Sequence, residues 1–177
     1  MGEYIPSDKS LFIEIKRLIQ TAKQQTAVKV NAELTLLYWN VGKRISEEIL
    51  KGERAQYGKQ LIENLAKDLT DQFGRGWSKR NLQQMIRFYE FFPDRQIVQT
   101  LSAQLSWSHF VQLISVNTST KRDFYLTMSV QERWSTRTLS ERIDSQLFER
   151  TAISKKPEET IIKELESLRK KEPVNQD

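Results

Sequence analysis

An all-α fold is what this sequence predicts: a multi-helix domain containing a helix-turn-helix-like unit, followed by a charged helical tail. Three observations predict it. Apolar residues recur three and four positions apart through most of the 177 residues, the spacing of a helix face. No convincing run of alternating apolar and polar residues marks a strand. Trp-Ser pairs at 77–78, 107–108 and 134–135 stand at or near the starts of such stripes, where a serine hydroxyl can cap a helix.

Leu11, Ile15, Leu18, Ile19 and Ala22 line the first helix, with Ser7 or Asp8 placed to cap it. Leu34, Leu37, Tyr38, Val41, Ile45 and Ile49 line the second, and the stretch from Thr26 to Asn31 predicts an interruption or kink between the two. Gly52 closes that element. Leu61, Ile62, Leu65, Ala66, Leu69 and Phe73 follow on a third helix, stopped by Gly74. With Ser78 as cap, Trp77 precedes it and Leu82 is the fourth helical residue, the pairing of a hydrophobic staple. Trp134, Ser135 and Leu139 repeat that arrangement. At Trp107-Ser108 the staple position would be Gln112, so Leu105-Ser106 with Phe110 is the better start.

Pro93 breaks the chain after Phe92, and a short apolar turn around Ile97, Val98 and Leu101 leads to a helix over His109 to Ile114. Residues Thr120 to Met128 and Ser135 to Glu149 give two more helices. From Ser154 onward, lysines and glutamates surround only Ile161, Ile162, Leu165 and Leu168. That stripe is too thin to fold alone and reads as a linker or pairing helix.

Composition narrows the function. Without cysteine there is neither a disulfide framework nor a thiolate site, and one histidine, His109, excludes the usual zinc centres. No apolar run approaches the roughly 20 residues that span a bilayer, and the first ten residues lack the pattern of a signal peptide. A soluble, cytoplasmic protein is expected, with no cofactor, no membrane partner and no small-molecule substrate. The net charge of +5, from 28 Lys and Arg against 23 Asp and Glu, permits a nucleic-acid partner without demanding one.

Distribution is more telling than the total. The segment YGKQLIENLAKDLTDQFGRGWSKRNLQQMIRFYEFF (57–92) reads as an amphipathic helix, a Gly-Arg-Gly corner and a second amphipathic helix that begins among cations. Arg75, Lys79, Arg80 and Arg87 are the residues expected to meet phosphates. Asn81 and Gln84 are of the types that read adenine edges. The same residues also fit a solvated face opposite Leu82, Met85, Ile86 and Tyr89. Tyr38, Trp39, Tyr57, Phe88, Tyr89, Phe91 and Phe92 could stack on bases, but their helical spacing favours a packed core. His109 reads as a helix-face residue. Arg133, Arg137, Arg142 and Arg150 interleave with Glu132, Glu141, Asp144 and Glu149, as i,i+4 pairing would arrange them.

Five segments carry a family likeness: LLYWNVGKRI (36–45), the 57–92 segment, LSWSHFVQLI (105–114), RDFYLTMSVQERWSTRTLSERI (122–143) and QLFERT (146–151). In order and spacing they resemble the N-terminal domain of the YhcG family, bacterial proteins in which a helical domain precedes a PD-(D/E)XK nuclease domain. The family's WSxRxL helix start is kept at Trp134–Leu139, with Thr138 where a capping glutamate is often found. The resemblance implies a helical DNA-binding module over residues 1–151, then a charged linker over 152–177 leading to a nuclease domain that this chain lacks.

A PD-(D/E)XK site needs an Asp and a Glu-x-Lys on adjacent strands to hold Mg²⁺ and assist the attacking water. Pro93-Asp94 is present without a following Glu-x-Lys in strand-like surroundings. Glu14-Ile15-Lys16 lies upstream in a helical pattern that points its two ends apart. No catalytic residue and no metal ligand is therefore expected in this chain. The expected partner is double-stranded DNA. A homodimer is compatible with that, because two-fold readers match half-sites. The alternative is a helical oligomerisation or protein-interaction domain that touches no nucleic acid.

Overall fold

Apolar stripes place each helix, and one helix organises the first half of the chain. The computed structural model describes residues 9–23, 30–52, 55–153 and 157–171. Among these are ten α-helices and no strands. They fall into two compact units, Met1–Ile114 and Ser115–Asp177.

In the first unit, α1 (Lys9–Lys23) buries Leu11, Ile15 and Ile19 at four-residue spacing. Its neighbour α2 (Val30–Leu50) is buried over much of its circumference: Leu37, Val41 and Ile45 on one side, Thr35, Trp39 and Gly42 on another. Such a helix belongs at the centre of a bundle. Around it lie α1, α3 (Ala55–Phe73), α4 (Lys79–Phe91), α5 (Arg95–Ser102) and α6 (Trp107–Ile114). The closest approach is at Gly42, where an added Cβ would stand 2.0 Å from the Met85 carbonyl oxygen of α4. Trp39 Nε1 donates to Phe92 O at 2.7 Å, fixing the end of α4 to α2.

The caps predicted at Ser78 and Ser135 are present. Ser78 Oγ accepts from the Asn81 N–H, and Trp77 and Leu82 are buried in one apolar cluster. At α6 the helix begins at Trp107, earlier than the His109 start that periodicity suggests. Ser106 stands before it, and His109 Nδ1 accepts from the Ser106 N–H at 3.1 Å. His109 is thus buried in a capping role and is not an open helix-face residue. The turn expected at Ile97–Leu101 is a two-turn helix, α5, capped by Asp94. Gly52 follows α2 and donates to Ile49 O at 3.0 Å. The aromatic residues pack inward as expected except Phe91, which is 39% exposed. The Ser7/Asp8 cap, and the part of the Thr26–Asn31 interruption before Val30, lie outside the described residues.

The second unit holds α7 (Ser119–Gln131), α8 (Thr136–Asp144), α9 (Leu147–Ile153) and α10 (Pro157–Lys171). Ser135 caps α8 by accepting from the Thr138 N–H. The single helix expected over Ser135–Glu149 is in fact two, broken at Ser145 and Gln146, where Gln146 takes φ 58°. Tyr125 holds the break together: its hydroxyl donates to Arg142 O and accepts from the Phe148 N–H. The i,i+4 pairing expected of the arginines holds for Arg137 with Glu141. Arg142 and Arg150 instead both reach Glu164 on α10, and Arg169 meets Glu132. The thin stripe of α10 is half-buried at Ile161, Leu165 and Leu168.

Candidate nucleic-acid interface

The corner between α3 and α4 is built to hold its shape. Gly74 ends α3 at φ 95°, ψ −168°, a conformation that a side chain strains. Its N–H bonds to Thr70 O at 2.9 Å, and Thr70 Oγ1 donates to Trp77 O at 3.2 Å. Arg75–Trp77 forms a single 3₁₀ turn. Asn81 Nδ2 then reaches back to Gly76 O at 3.0 Å. Trp77 points inward, edge-on to Tyr38 with ring centroids 5.8 Å apart. With the indole anchored, the Arg75-Gly76 edge of the turn is left exposed.

On α4 the inward face carries Leu82, Met85 and Phe88. Opposite them, Arg80, Gln84 and Arg87 follow an i, i+4, i+7 progression that confines them to roughly 60° of the helix circumference. Arg80 and Arg87 are exposed and Gln84 partly so. Arg75, Arg80 and Arg87 meet no ion-pair partner among the described residues. No acidic residue occupies the first turn of α4, where the macrodipole would favour one. Cations there oppose the helix's own field, so they add nothing to its stability.

Two of the sequence candidates are engaged elsewhere. Lys79 Nζ lies 2.8 Å from Glu63 Oε1 on α3, and this hydrogen bond holds the Glu63 carboxyl below the usual carboxylate range. Asn81 spends its amide on the corner, about 60° or more around the helix from the Arg80 stripe. Gln83, which the sequence reading passed over, is exposed between Arg80 and Arg87. Its spacing, three after Arg80 and four before Arg87, is the signal that places it there.

The residues weighed for nuclease chemistry have structural duties. Asp94 accepts from the Gln96 and Ile97 N–H groups as the cap of α5. Glu14 Oε2 takes Arg44 Nε at 2.5 Å. Among the described residues no group of three or more His, Cys, Asp or Glu is placed to hold a metal ion. No helix among the described residues is long and apolar enough to cross a membrane.

Comparison with known proteins places this geometry in a family. Residues 14–150 match the DUF1016 N-terminal domain. The protein named "Putative nuclease YhcG" of Escherichia coli (strain K12) is 36% identical over 170 residues, covering 79% of this chain and 45% of the relative. The chain thus spans less than half the length of that relative. No solved structure matches. On a match that runs through both compact units, this chain belongs to the YhcG family and carries its DUF1016 N-terminal domain.

Proposed function

We propose that this chain is the DNA-binding module of a YhcG-like nuclease. Residues 1–151 grip double-stranded DNA, and 152–177 lead toward a separate catalytic domain. The observation that carries this reading is the exposed pair Arg80 and Arg87, without ion-pair partners among the described residues, on the outer face of a helix whose opposite face is locked onto α2, with Arg75 in the corner before its N-terminus. Such a surface meets a polyanion by charge and by the free N–H groups of a helix start. The α3–corner–α4 unit works as a helix-turn-helix-like reader, with Gln84 aimed at base edges and the arginines at phosphates. Lys79 joins only by leaving Glu63, which an exposed and screened pair permits. Asn81 acts through the corner. On this reading the protein works beside bacterial DNA, in the cytoplasm, and makes no cleavage itself.

The test is a titration of the chain against duplex DNA at low and moderate salt, beside the double variant Arg80→Glu/Arg87→Glu. The wild type should bind more weakly as salt rises. The variant should lose affinity on all sequences alike. Unchanged duplex mobility at both salt concentrations would sink the proposal. Homodimerisation is a second proposal, to be checked by sedimentation, though the α10 stripe that motivated it is already half-buried within its own unit.

A further inference from the structure

Beside the basic corner the first unit holds an apolar pocket of about 340 Å³, bounded by α1, α2, the end of α3 and Trp77. That volume falls in the range of small-ligand sites, roughly 300–1,000 Å³. We propose that this pocket receives one nucleobase, unpaired or drawn out of the stack, from DNA held by the arginines of the corner. The inference rests on the DNA-binding reading and names the structure in the DNA that the site prefers.

The lining suits a base better than an aliphatic ligand. Phe73, Tyr38 and Trp77 supply aromatic surface, with Ala22 and Leu34 completing an apolar wall. Trp77, only 7% exposed, carries an indole N–H, and Tyr38 a hydroxyl whose pKa burial pushes up. A donor and a hydroxyl among aromatic rings suit the ring nitrogens and carbonyls on a base edge better than an aliphatic chain.

The surrounding charges say how the ligand is presented. Phe73 and Trp77 bracket the Gly74-Arg75-Gly76 corner, so the pocket wall and the exposed arginine belong to one turn. Lys23 Nζ stands 5.2 Å from the centre of the Phe73 ring, a second cation at the lining. Glu33 also lines the pocket, and its negative charge disfavours a phosphate in the interior. Phosphate outside and base inside is the arrangement these charges favour.

Three probes test this with the full chain: a paired duplex, the same duplex carrying a single bulged 2-aminopurine, and free dAMP. The bulged duplex should bind at least about tenfold tighter than the paired one, with 2-aminopurine fluorescence quenched by stacking. Ala22→Phe, which fills the pocket away from the arginines, should erase the preference and leave paired-duplex affinity unchanged. Should Ala22→Phe fail to fold by circular dichroism, Tyr38→Phe serves, and should cut the preference several-fold. Equal affinity for bulged and paired duplex overturns the inference while leaving the DNA-binding reading intact, as does a preference that survives in the folded variant. Binding of dAMP as tight as that of the bulge overturns it in favour of a free nucleotide. Loss of binding to every DNA would remove both readings together.

Discussion

At the scale of single residues, positions with no side chain and one cation tied to a neighbouring acid say most. Gly42 is required by proximity: the α2–α4 crossing leaves no space for a methyl group against the Met85 carbonyl. Gly42→Ala should destabilise the protein by about 3 kcal/mol or more, the upper end of overpacking costs, since backbone must move. Chemical denaturation of the two proteins measures it. Gly74 and Gly76 offer an internal contrast. Gly74→Ala should cost about 1–3 kcal/mol for its positive φ, whereas Gly76 has open space and no positive φ, so Gly76→Ala should be close to neutral. The sequence announces the Gly74 stop, but nothing local announces Gly42, because the constraint comes from Met85 on another helix. The Lys79–Glu63 pair was hidden for the same reason, its partners lying 16 residues apart. Its pH behaviour is testable. A lowered folded pKa means that the pair's contribution is present above the ordinary glutamate value of about 4.3 and lost as pH falls through the lowered value. In Lys79→Gln the Glu63 midpoint, followed by carboxyl chemical shift, should rise toward the ordinary value.

At the scale of elements, helix starts were legible and one helix end was not. Ser78 and Ser135 were readable as caps because a cap needs only a hydroxyl before an apolar stripe, and both accept the expected N–H. The outward stripe of α4 was equally readable from spacing, though Asn81 was drawn from it to the corner by Gly76 O. The break between α8 and α9 carries no Gly or Pro to announce it. It is imposed by tertiary contacts, chiefly the Tyr125 hydroxyl bridging Arg142 O and the Phe148 N–H across the gap. Gln146 therefore sits at φ 58° for lack of an alternative. Replacing a non-glycine residue in that region relieves about 1–2 kcal/mol, partly offset by glycine's entropy in the unfolded chain. Gln146→Gly should thus stabilise by roughly 0.5–1 kcal/mol, read as a rise in the thermal midpoint. A fall would mean that the Gln146 side chain makes contacts worth more than the strain.

At the scale of the whole molecule, most cations that lie near acids are already committed. Arg44 holds Glu14 and Glu48, Lys121 holds Glu149, and Arg142 with Arg150 shares Glu164. The 28 Lys and Arg therefore overstate the cations that a polyanion would find free, although pairing leaves the net charge of +5 unchanged. Around the α3–α4 corner, Arg75, Arg80 and Arg87 have no ion-pair partner among the described residues. Each phosphate contact with duplex DNA contributes about 0.9 to the slope of log affinity against log salt, so three contacts predict a slope near −2.7. Recruiting Lys79 from Glu63 would steepen it to about −3.6, and Glu63→Gln, which frees the lysine in advance, should then raise low-salt affinity. Measuring binding across four or five salt concentrations gives the number directly. Arg80→Ala and Arg87→Ala should each flatten the slope by about 0.9. A slope twice the predicted value, insensitive to either substitution, would assign the DNA surface to another face of the molecule.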